Sequence, residues 1–263
     1  MVASLRRRDY RDLIRTRQID LARADPGSPM FDPERAAVLH ARAGRIDEAV
    51  WLVFLATHFG KHRDHHWTRV QDVYSGLGSG IWTWDRVRSS PSAFRAWLDA
   101  NAGAIGGACG SHRKYESLVG VKGTGAVVEG LVAWAGSMGS LAGRFASLVR
   151  QGGNHPHVIF DHIYRSFQVV RFGRLGRFDL LSVMGRLGIL PIEPGSAYLK
   201  GATGPLRGAR LLFGGDPQAA LQEAVLEAWL LDIDQHLGVG MEVMEDSLCN
   251  WQKTPDTFVH FRG

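Results

Sequence analysis

The 263-residue sequence predicts an all-α fold. Apolar residues recur at helical spacing, as at Leu221, Val225 and Trp229, and no segment shows the two-residue alternation of a half-buried strand. Glycine and proline residues separate the helical segments. With 45% hydrophobic residues the chain can bury a core, and we treat residues 1–263 as a single helical domain.

In the N-terminal half, the most distinctive predicted helix lies at residues 46–59. Nearly every position there is apolar, which is typical of a helix buried on most sides. Asp47 and Glu48 fall in its first turn, where the helix dipole favours carboxylates. Ser90 and Pro91 mark another start, with a capping side chain followed by a residue of fixed φ. The other helices predicted in this half cover residues 5–24, 34–43, 67–76, 91–101 and 112–120.

In the C-terminal half, Gln151 to Pro156 is a predicted break between helices. A short helix after Pro194 is expected to lead to Leu199, and Asp216 and Pro217 are expected to open a further helix. The remaining predicted helices cover residues 126–135, 138–150, 157–171, 178–188 and 240–252.

Charge is distributed unevenly along a chain whose formal net charge is only +5. Residues 140–215 hold ten basic and three acidic residues, whereas residues 216–250 hold eight acidic residues and no lysine or arginine. Of the 31 basic residues 26 are arginine, which suits forked phosphate recognition, although a GC-rich genome produces the same bias. Carboxylates next to a phosphate-binding surface either face solvent or take part in chemistry.

Several classes of protein are excluded by the composition. Two cysteines, Cys109 and Cys249, are too few for a disulfide scaffold or a four-cysteine zinc or iron–sulfur site. His58 and His62 have helical spacing but lack the glutamate of a zinc-protease motif, so we expect no metal and no cofactor. No apolar run approaches the length of a membrane span, and no secretory signal is evident, so a cytoplasmic location is expected.

The segment Tyr198 to Phe213 has the pattern of a phosphate-binding turn, with the sequence YLKGATGPLRGARLLF. Glycines at 201 and 204 permit close backbone approach, and N–H groups at a helix start point at an anion. An ordinary hairpin without a ligand is the alternative interpretation. The residues expected to bind DNA are Lys200, Gly201, Thr203, Gly204, Arg207 and Arg210.

This turn resembles the helix–hairpin–helix of DNA glycosylases. Those enzymes carry an essential aspartate some distance after the hairpin, between apolar residues and a histidine. Here Ile233-Asp234-Gln235-His236-Leu237 follows the turn in the same order. The resemblance implies a helix–hairpin–helix at about residues 195–213, and two helical subdomains with a cleft between them.

Four segments together resemble the alpha-glutamyl/putrescinyl thymine pyrophosphorylase family, clade 3. They are the hairpin and residues 46–62 (IDEAVWLVFLATHFGKH), 111–117 (SHRKYES) and 245–253 (EDSLCNWQK). That family is regarded as a branch of the helix–hairpin–helix glycosylase superfamily and is linked to hypermodified pyrimidines of bacteriophage DNA. Its name implies displacement of pyrophosphate from a base by an amine. Related members are similar to antiphage glycosylases that excise a bulky base such as glucosylated hydroxymethylcytosine.

The resemblance implies that Asp234 stabilises the oxocarbenium-like sugar, with His236 orienting it or capping a helix. The hairpin glycines are one residue further apart than usual and the gap to Asp234 is longer, so Asp232 is a rival for this role. Leu206 stands where bifunctional glycosylases carry a lysine, which implies no Schiff-base step.

A flipped base needs a pocket with polar groups. Thr57 and His58 interrupt the apolar helix and are candidates to contact the base, and a core histidine is the alternative. The stretch after the second glycine loop supplies further candidates for binding the modification, namely His112, Arg113, Lys114 and Tyr115. A solvated helix start is the alternative for these four residues.

Three functions follow as hypotheses. The leading one is a monofunctional glycosylase that excises a bulky modified pyrimidine from double-stranded phage DNA and leaves abasic sites, in antiphage defence. The second is a hypermodifying transferase that displaces pyrophosphate from a 5-pyrophosphomethyl pyrimidine with an amine. The third is a DNA-binding module without catalysis. No obligate protein partner is expected.

Overall fold

The computed structural model describes residues 1–113, 116–137 and 139–257, and in these ranges the chain forms thirteen α-helices and no β-strand. The all-α prediction is therefore confirmed. The helices are α1 (Val2–Thr16), α2 (Pro33–Arg42), α3 (Ile46–Phe59), α4 (Thr68–Ser75), α5 (Trp84–Ser89), α6 (Pro91–Asn101), α7 (Thr124–Ala135), α8 (Leu141–Gly152), α9 (Pro156–Ser166), α10 (Arg174–Arg186), α11 (Gly204–Gly214), α12 (Glu223–Leu237) and α13 (Met241–Trp251). None of the helices in these ranges is long and apolar enough to cross a membrane.

Helix α3 is the centre of the larger of two hydrophobic clusters, and it is buried from Ala49 to Phe59. It packs against α2, α8 and α10. Its first-turn carboxylates bond to other helices as well as lying near the helix dipole. Asp47 Oδ1 accepts a hydrogen bond from Ala142 N at 2.8 Å, and Glu48 Oε2 accepts one from Trp84 N at 2.8 Å. These bonds fix the ends of α5 and α8 on the core helix.

The smaller hydrophobic cluster is formed by α11, α12 and α13 with Ala197 and Leu199 from the preceding segment. Helices α11 and α13 pack most closely, because glycines allow it. A Cβ at Gly208 would lie 2.4 Å from the Leu248 carbonyl oxygen, and one at Gly204 would lie 2.6 Å from Cys249 Sγ. The hairpin glycine Gly204 therefore serves helix packing. A division into subdomains separated by a cleft stays a prediction.

The helix predicted before the hairpin is absent, because residues 187–203 contain no helix. Tyr198 has φ +50° and Gly201 has φ +74°, and a right-handed helix cannot continue through residues in this left-handed region. Only the second helix of the predicted helix–hairpin–helix, α11, is formed. The predicted sequence of helix, turn and helix at residues 195–213 is wrong in its first part.

In this extended segment, side chains from other helices form the hydrogen bonds that backbone groups would form with each other in a helix. Glu227 of α12 accepts hydrogen bonds from the N–H groups of Ala197, at 3.0 Å, and Leu199, at 2.5 Å. Arg174 of α10 donates to the carbonyls of Ala197, at 2.6 Å, and Tyr198, at 2.9 Å. Backbone groups that a helix would have paired are therefore paired by long-range contacts.

Other boundaries also differ from those predicted. Only a single turn of 3-10 helix, Ser111–Arg113, lies in the described part of the helix predicted at 112–120. Helix α12 begins at Glu223, later than Asp216, and α5 is a helix that the sequence pattern did not indicate. By contrast, α3 and α6 begin and end as predicted, because strong apolar and capping signals mark both.

The contact between α11 and α13 gives a stability prediction. Gly208→Ala places a Cβ against the Leu248 carbonyl and should lower the free energy of unfolding by about 1–3 kcal/mol. Gly130→Ala, within α7, is the matched control, because its nearest neighbouring atom is 3.5 Å away. Alanine favours a helix over glycine by about 1 kcal/mol, so this variant should be stabilised. Urea unfolding measures the free energy of unfolding of both variants. An equal change in the two variants would contradict the packing argument.

Candidate active site

A cavity of about 350 Å³ lies where five helices meet. Its wall is formed by α1, the start of α2, the end of α3, α10 and α13, together with Gly110, His112 and Arg113. Residues from both hydrophobic clusters contribute, including Val183 and Val243. Its volume is within the range of about 300–1,000 Å³ that is usual for small-molecule sites.

Three carboxylates of the cavity wall form an acidic cluster, which consists of Asp179 on α10 and Glu245 and Asp246 on α13. Asp179 accepts a hydrogen bond from Arg113 at 2.7 Å, and Asp246 accepts one from Arg7 at 3.1 Å. Glu245 is ion-paired with Arg174. The side chain of Asp179 is 32% exposed, against 15% for Asp246 and 6% for Glu245, so Asp179 is the most accessible member.

Burial raises the pKa of Glu245 to about 7. The negative charges of Asp179 and Asp246 add to this effect, and Arg174 opposes it only in part. Burial thus favours the protonated form of Glu245, whereas the ion pair with Arg174 favours the carboxylate. An acid with a raised pKa next to a more accessible carboxylate is an arrangement that active sites use for acid and base roles.

Arg113 connects the cluster to the end of α3. Its Nε donates to the Thr57 carbonyl at 2.9 Å, while its Nη2 donates to Asp179. The neighbouring His112 also lines the cavity, and burial lowers its pKa, opposed by Asp179. A neutral imidazole can both donate and accept a hydrogen bond.

A second set of ion pairs attaches α1 over the same cavity. Arg11 binds Glu34 of α2 at 3.1 Å and Glu242 of α13 at 3.0 Å. Glu242 is shared with Arg186 of α10 at 3.0 Å. The arginines Arg7, Arg11 and Arg113 are thus all engaged by carboxylates, so the cavity wall is polar but largely neutralised.

Two buried hydroxyl groups on this wall have no hydrogen-bond partner among the residues that the structure describes. They belong to Thr57, which is 8% exposed, and Ser182, which is 3% exposed. The indole N–H of Trp67, another wall residue, is in the same state. Buried polar groups are normally paired, and groups that are not paired need an explanation.

Some of the residues predicted to line the pocket do so, and others do not. Thr57, His112 and Arg113 line the cavity. Lys114 and Tyr115 lie outside the described residues. The prediction that His58 faces the pocket is not supported, because His58 is absent from the cavity wall and is buried in the core.

His58 has a structural environment. Its Nε2 lies 3.0 Å from Thr124 Oγ1, and its ring stacks on Phe54 at 5.9 Å between centroids. Burial, with the nearby charges of Arg113 and Arg171, lowers its pKa to about 3. It is therefore a neutral core histidine, which was the alternative interpretation.

The predicted catalytic residues on α12 do not line the cavity. Asp234 Oδ1 accepts hydrogen bonds from the backbone N–H groups of Val239 and Gly240, both at 2.9 Å, and so holds the loop before α13. Asp232 is exposed, and His236 Nδ1 lies 3.0 Å from the Asp232 carbonyl oxygen. Their catalytic role stays a prediction, and in the structure the Asp234 side chain bonds to the loop between α12 and α13.

The predicted DNA-binding residues lie on the turn and on the first part of α11. Lys200, Gly201, Thr203 and Arg207 are exposed, and Arg210 is half-buried. Gly201 has φ +74°, the left-handed conformation that favours glycine. Gly204 packs on Cys249, which lines the cavity, so the turn lies directly behind one cavity wall.

Sequence reasoning gave no role to Asp179, Glu245, Asp246 or Ser182. A signal was present for Asp179, because it is one of only three acidic residues in the basic stretch 140–215. Glu245 and Asp246 begin the last of the four segments that carry the family resemblance. The structure brings the ends of three of those segments, near residues 57–61, 110–113 and 245–249, to one cavity.

Among the described residues, no three His, Cys, Asp or Glu side chains are arranged to hold a metal ion. Comparison with known families gives one match. The family model described as alpha-glutamyl/putrescinyl thymine pyrophosphorylase clade 3 matches residues 1–263. No curated protein and no solved structure matches the chain.

The raised pKa of Glu245 gives a pH prediction. The folded protein binds this proton more tightly than the unfolded chain, whose glutamate has the ordinary value of 4.5, so the stability it contributes is lost as the pH rises from about 4.5 to about 7. Over this window the wild type should lose stability relative to Glu245→Gln. Urea unfolding at several pH values measures the difference.

A second variant checks the cause. In an Asp179→Asn background the upper end of this window should move to lower pH, because a charge that raises the pKa of Glu245 in the folded protein is removed. A difference between wild type and Glu245→Gln that does not change with pH would contradict the assignment.

Proposed function

Because the chain belongs to the alpha-glutamyl/putrescinyl thymine pyrophosphorylase family, clade 3, we propose that it is a DNA glycosylase that excises a modified pyrimidine from bacteriophage DNA. The family points to an enzyme of phage DNA base modification. The observation that carries the finer proposal is the acidic cluster, in which the buried acid Glu245 lies near the more accessible carboxylate Asp179 on one cavity wall. Such a protein acts in defence against phage.

Hydrolysis of a nucleoside breaks the N–C1′ bond and places positive charge on the sugar. In the proposed reaction the base leaves the duplex stack and enters the cavity. Asp179 stabilises the positive sugar and takes a proton from the attacking water, whose oxygen forms the new bond to C1′. Glu245 gives its proton to the departing base. The products are a free base and an abasic site.

The turn at residues 200–204 is proposed to bind the DNA backbone. Lys200 and Arg207 are exposed there, and the first N–H groups of α11 lie at the same end of the helix. Because Gly204 packs on Cys249 of α13, a strand bound at the turn is adjacent to the helix that carries Glu245.

Displacement of pyrophosphate is less well supported by the site. The cavity arginines Arg7, Arg11 and Arg113 are all paired with carboxylates. A pyrophosphate group would have to displace these carboxylates, whereas a neutral base and its sugar would not. The pairing of these arginines supports base excision over the transferase reaction, and Lys61 is a cavity cation outside these pairs.

Mass spectrometry of bases released from a panel of phage genomes with different modifications tests the function. We expect a free modified pyrimidine, and strand breaks after alkali or an abasic-site endonuclease. Release of pyrophosphate with a heavier nucleoside and no abasic site would establish the transferase instead. Salt-sensitive DNA binding with no product from any genome would indicate a binding module.

A pair of variants separates the two candidate carboxylates. Asp179→Asn should reduce the rate of base release by about 10²–10³-fold, because a preorganised charge is lost. Asp234→Asn should retain most of the activity, because the amide oxygen still accepts from Val239 and Gly240. Single-turnover kinetics measure both rates, with circular dichroism as the control for folding. The opposite pattern would restore Asp234 as the catalytic residue.

A further inference from the structure

We propose that Ser182 and Thr57 are specificity-determining residues, whose hydroxyl groups hydrogen bond to the edge of the pyrimidine base in the cavity. The proposal rests on the proposed function for the identity of the ligand. The two residues are proposed to recognise the base and to take no part in the bond-breaking step.

The unpaired state of both hydroxyl groups is the first observation. Each side chain is more than nine-tenths buried and lines the cavity, and neither hydroxyl has a hydrogen-bond partner in the described ranges. Leaving a buried hydroxyl unpaired is costly, so a fold without a ligand to serve would be expected to place alanine or valine at these positions.

The position of the two residues is the second observation. Thr57 lies on α3 and Ser182 on α10, and these two helices pack against each other. The Thr57 carbonyl is fixed by Arg113. Ser182 follows Asp179 by three residues, so both lie on the same face of α10. A base held by Ser182 would therefore have its sugar near Asp179.

The donor and acceptor chemistry of the wall indicates the ligand. A hydroxyl can donate or accept, whereas the unpaired Trp67 indole can only donate, so the ligand must offer at least one acceptor. Phe178 and Val183 supply apolar surface on the same wall. A flat ring with carbonyl oxygens at its edge, as in a pyrimidine base, satisfies these requirements.

The test uses Ser182→Ala and Thr57→Val, which remove the hydroxyl groups with little change of shape. Because an unpaired buried group is lost, the ligand-free variants should melt at the same temperature as the wild type or about 2–4 °C higher. Ser247→Ala is the matched control. Ser247 is also buried, but its hydroxyl donates to Ser4 Oγ at 3.2 Å, so its loss should lower the melting temperature.

Base binding is measured by calorimetry and by the melting shift with 5-hydroxymethylcytosine and 5-hydroxymethyluracil as probes. The wild type and Ser247→Ala should bind, and each hydroxyl variant should bind about tenfold more weakly, as expected for the loss of one hydrogen bond of about 1.4 kcal/mol.

Three results would overturn the proposal. The first is that Ser182→Ala and Thr57→Val lower the melting temperature, as Ser247→Ala is expected to do. The second is that both variants bind the bases as tightly as the wild type. The third is that the wild type does not bind the bases. The glycosylase function is judged separately, by base release from phage DNA. If the variants bind the bases more weakly as expected but no base is released from phage DNA, the base-reading role stands and the glycosylase reaction is rejected. If bases are released but the variants bind as tightly as the wild type, the reaction stands and the base-reading role is rejected.

Discussion

The ion pair between Arg174 and Glu245 joins three parts of the molecule that the site requires. Arg174 begins α10, Glu245 lies on α13, and the same guanidinium holds the carbonyls of Ala197 and Tyr198 in the segment before the turn. Both side chains are almost fully buried. Breaking a buried pair by removing one partner leaves an uncompensated charge, which is strongly destabilising. The position of the turn and the protonation of the cavity acid therefore depend on one arginine.

The wall of the cavity combines two opposite solutions to the burial of polar groups. Its arginines are matched with carboxylates across helices, as with Arg11 between Glu34 and Glu242. Its hydroxyl groups at Thr57 and Ser182 are left without partners in the described structure. The ion pairs hold the helices of the wall in place, and the unpaired hydroxyl groups are available to hydrogen bond to a ligand. This combination is what a site for an uncharged polar ligand requires, and it agrees with base excision better than with the handling of a multiply charged leaving group.

The helices with strong local signals were predictable from sequence, and the site was predictable only in part. The continuous apolar run of α3 and the Ser90–Pro91 start of α6 are local features, so both helices were found. The segment before the turn was misassigned because long-range partners, Arg174 and Glu227, satisfy its backbone. Thr57 and His58 are neighbours on one helix, and only the rotation of α3 decides which of them lines the cavity. Asp179 and Glu245 are far apart in sequence, so no spacing rule brings them together.

The close approach of α11 to α13 also has a practical use. Gly204 covers the sulfur of Cys249, and burial raises the pKa of this thiol to about 11, so alkylating reagents should modify it slowly while the helices stay in contact. Separation of the two helices would expose the thiol and accelerate its labelling. Once Cys109, the other free cysteine, is replaced, labelling of Cys249 reports movement at the turn.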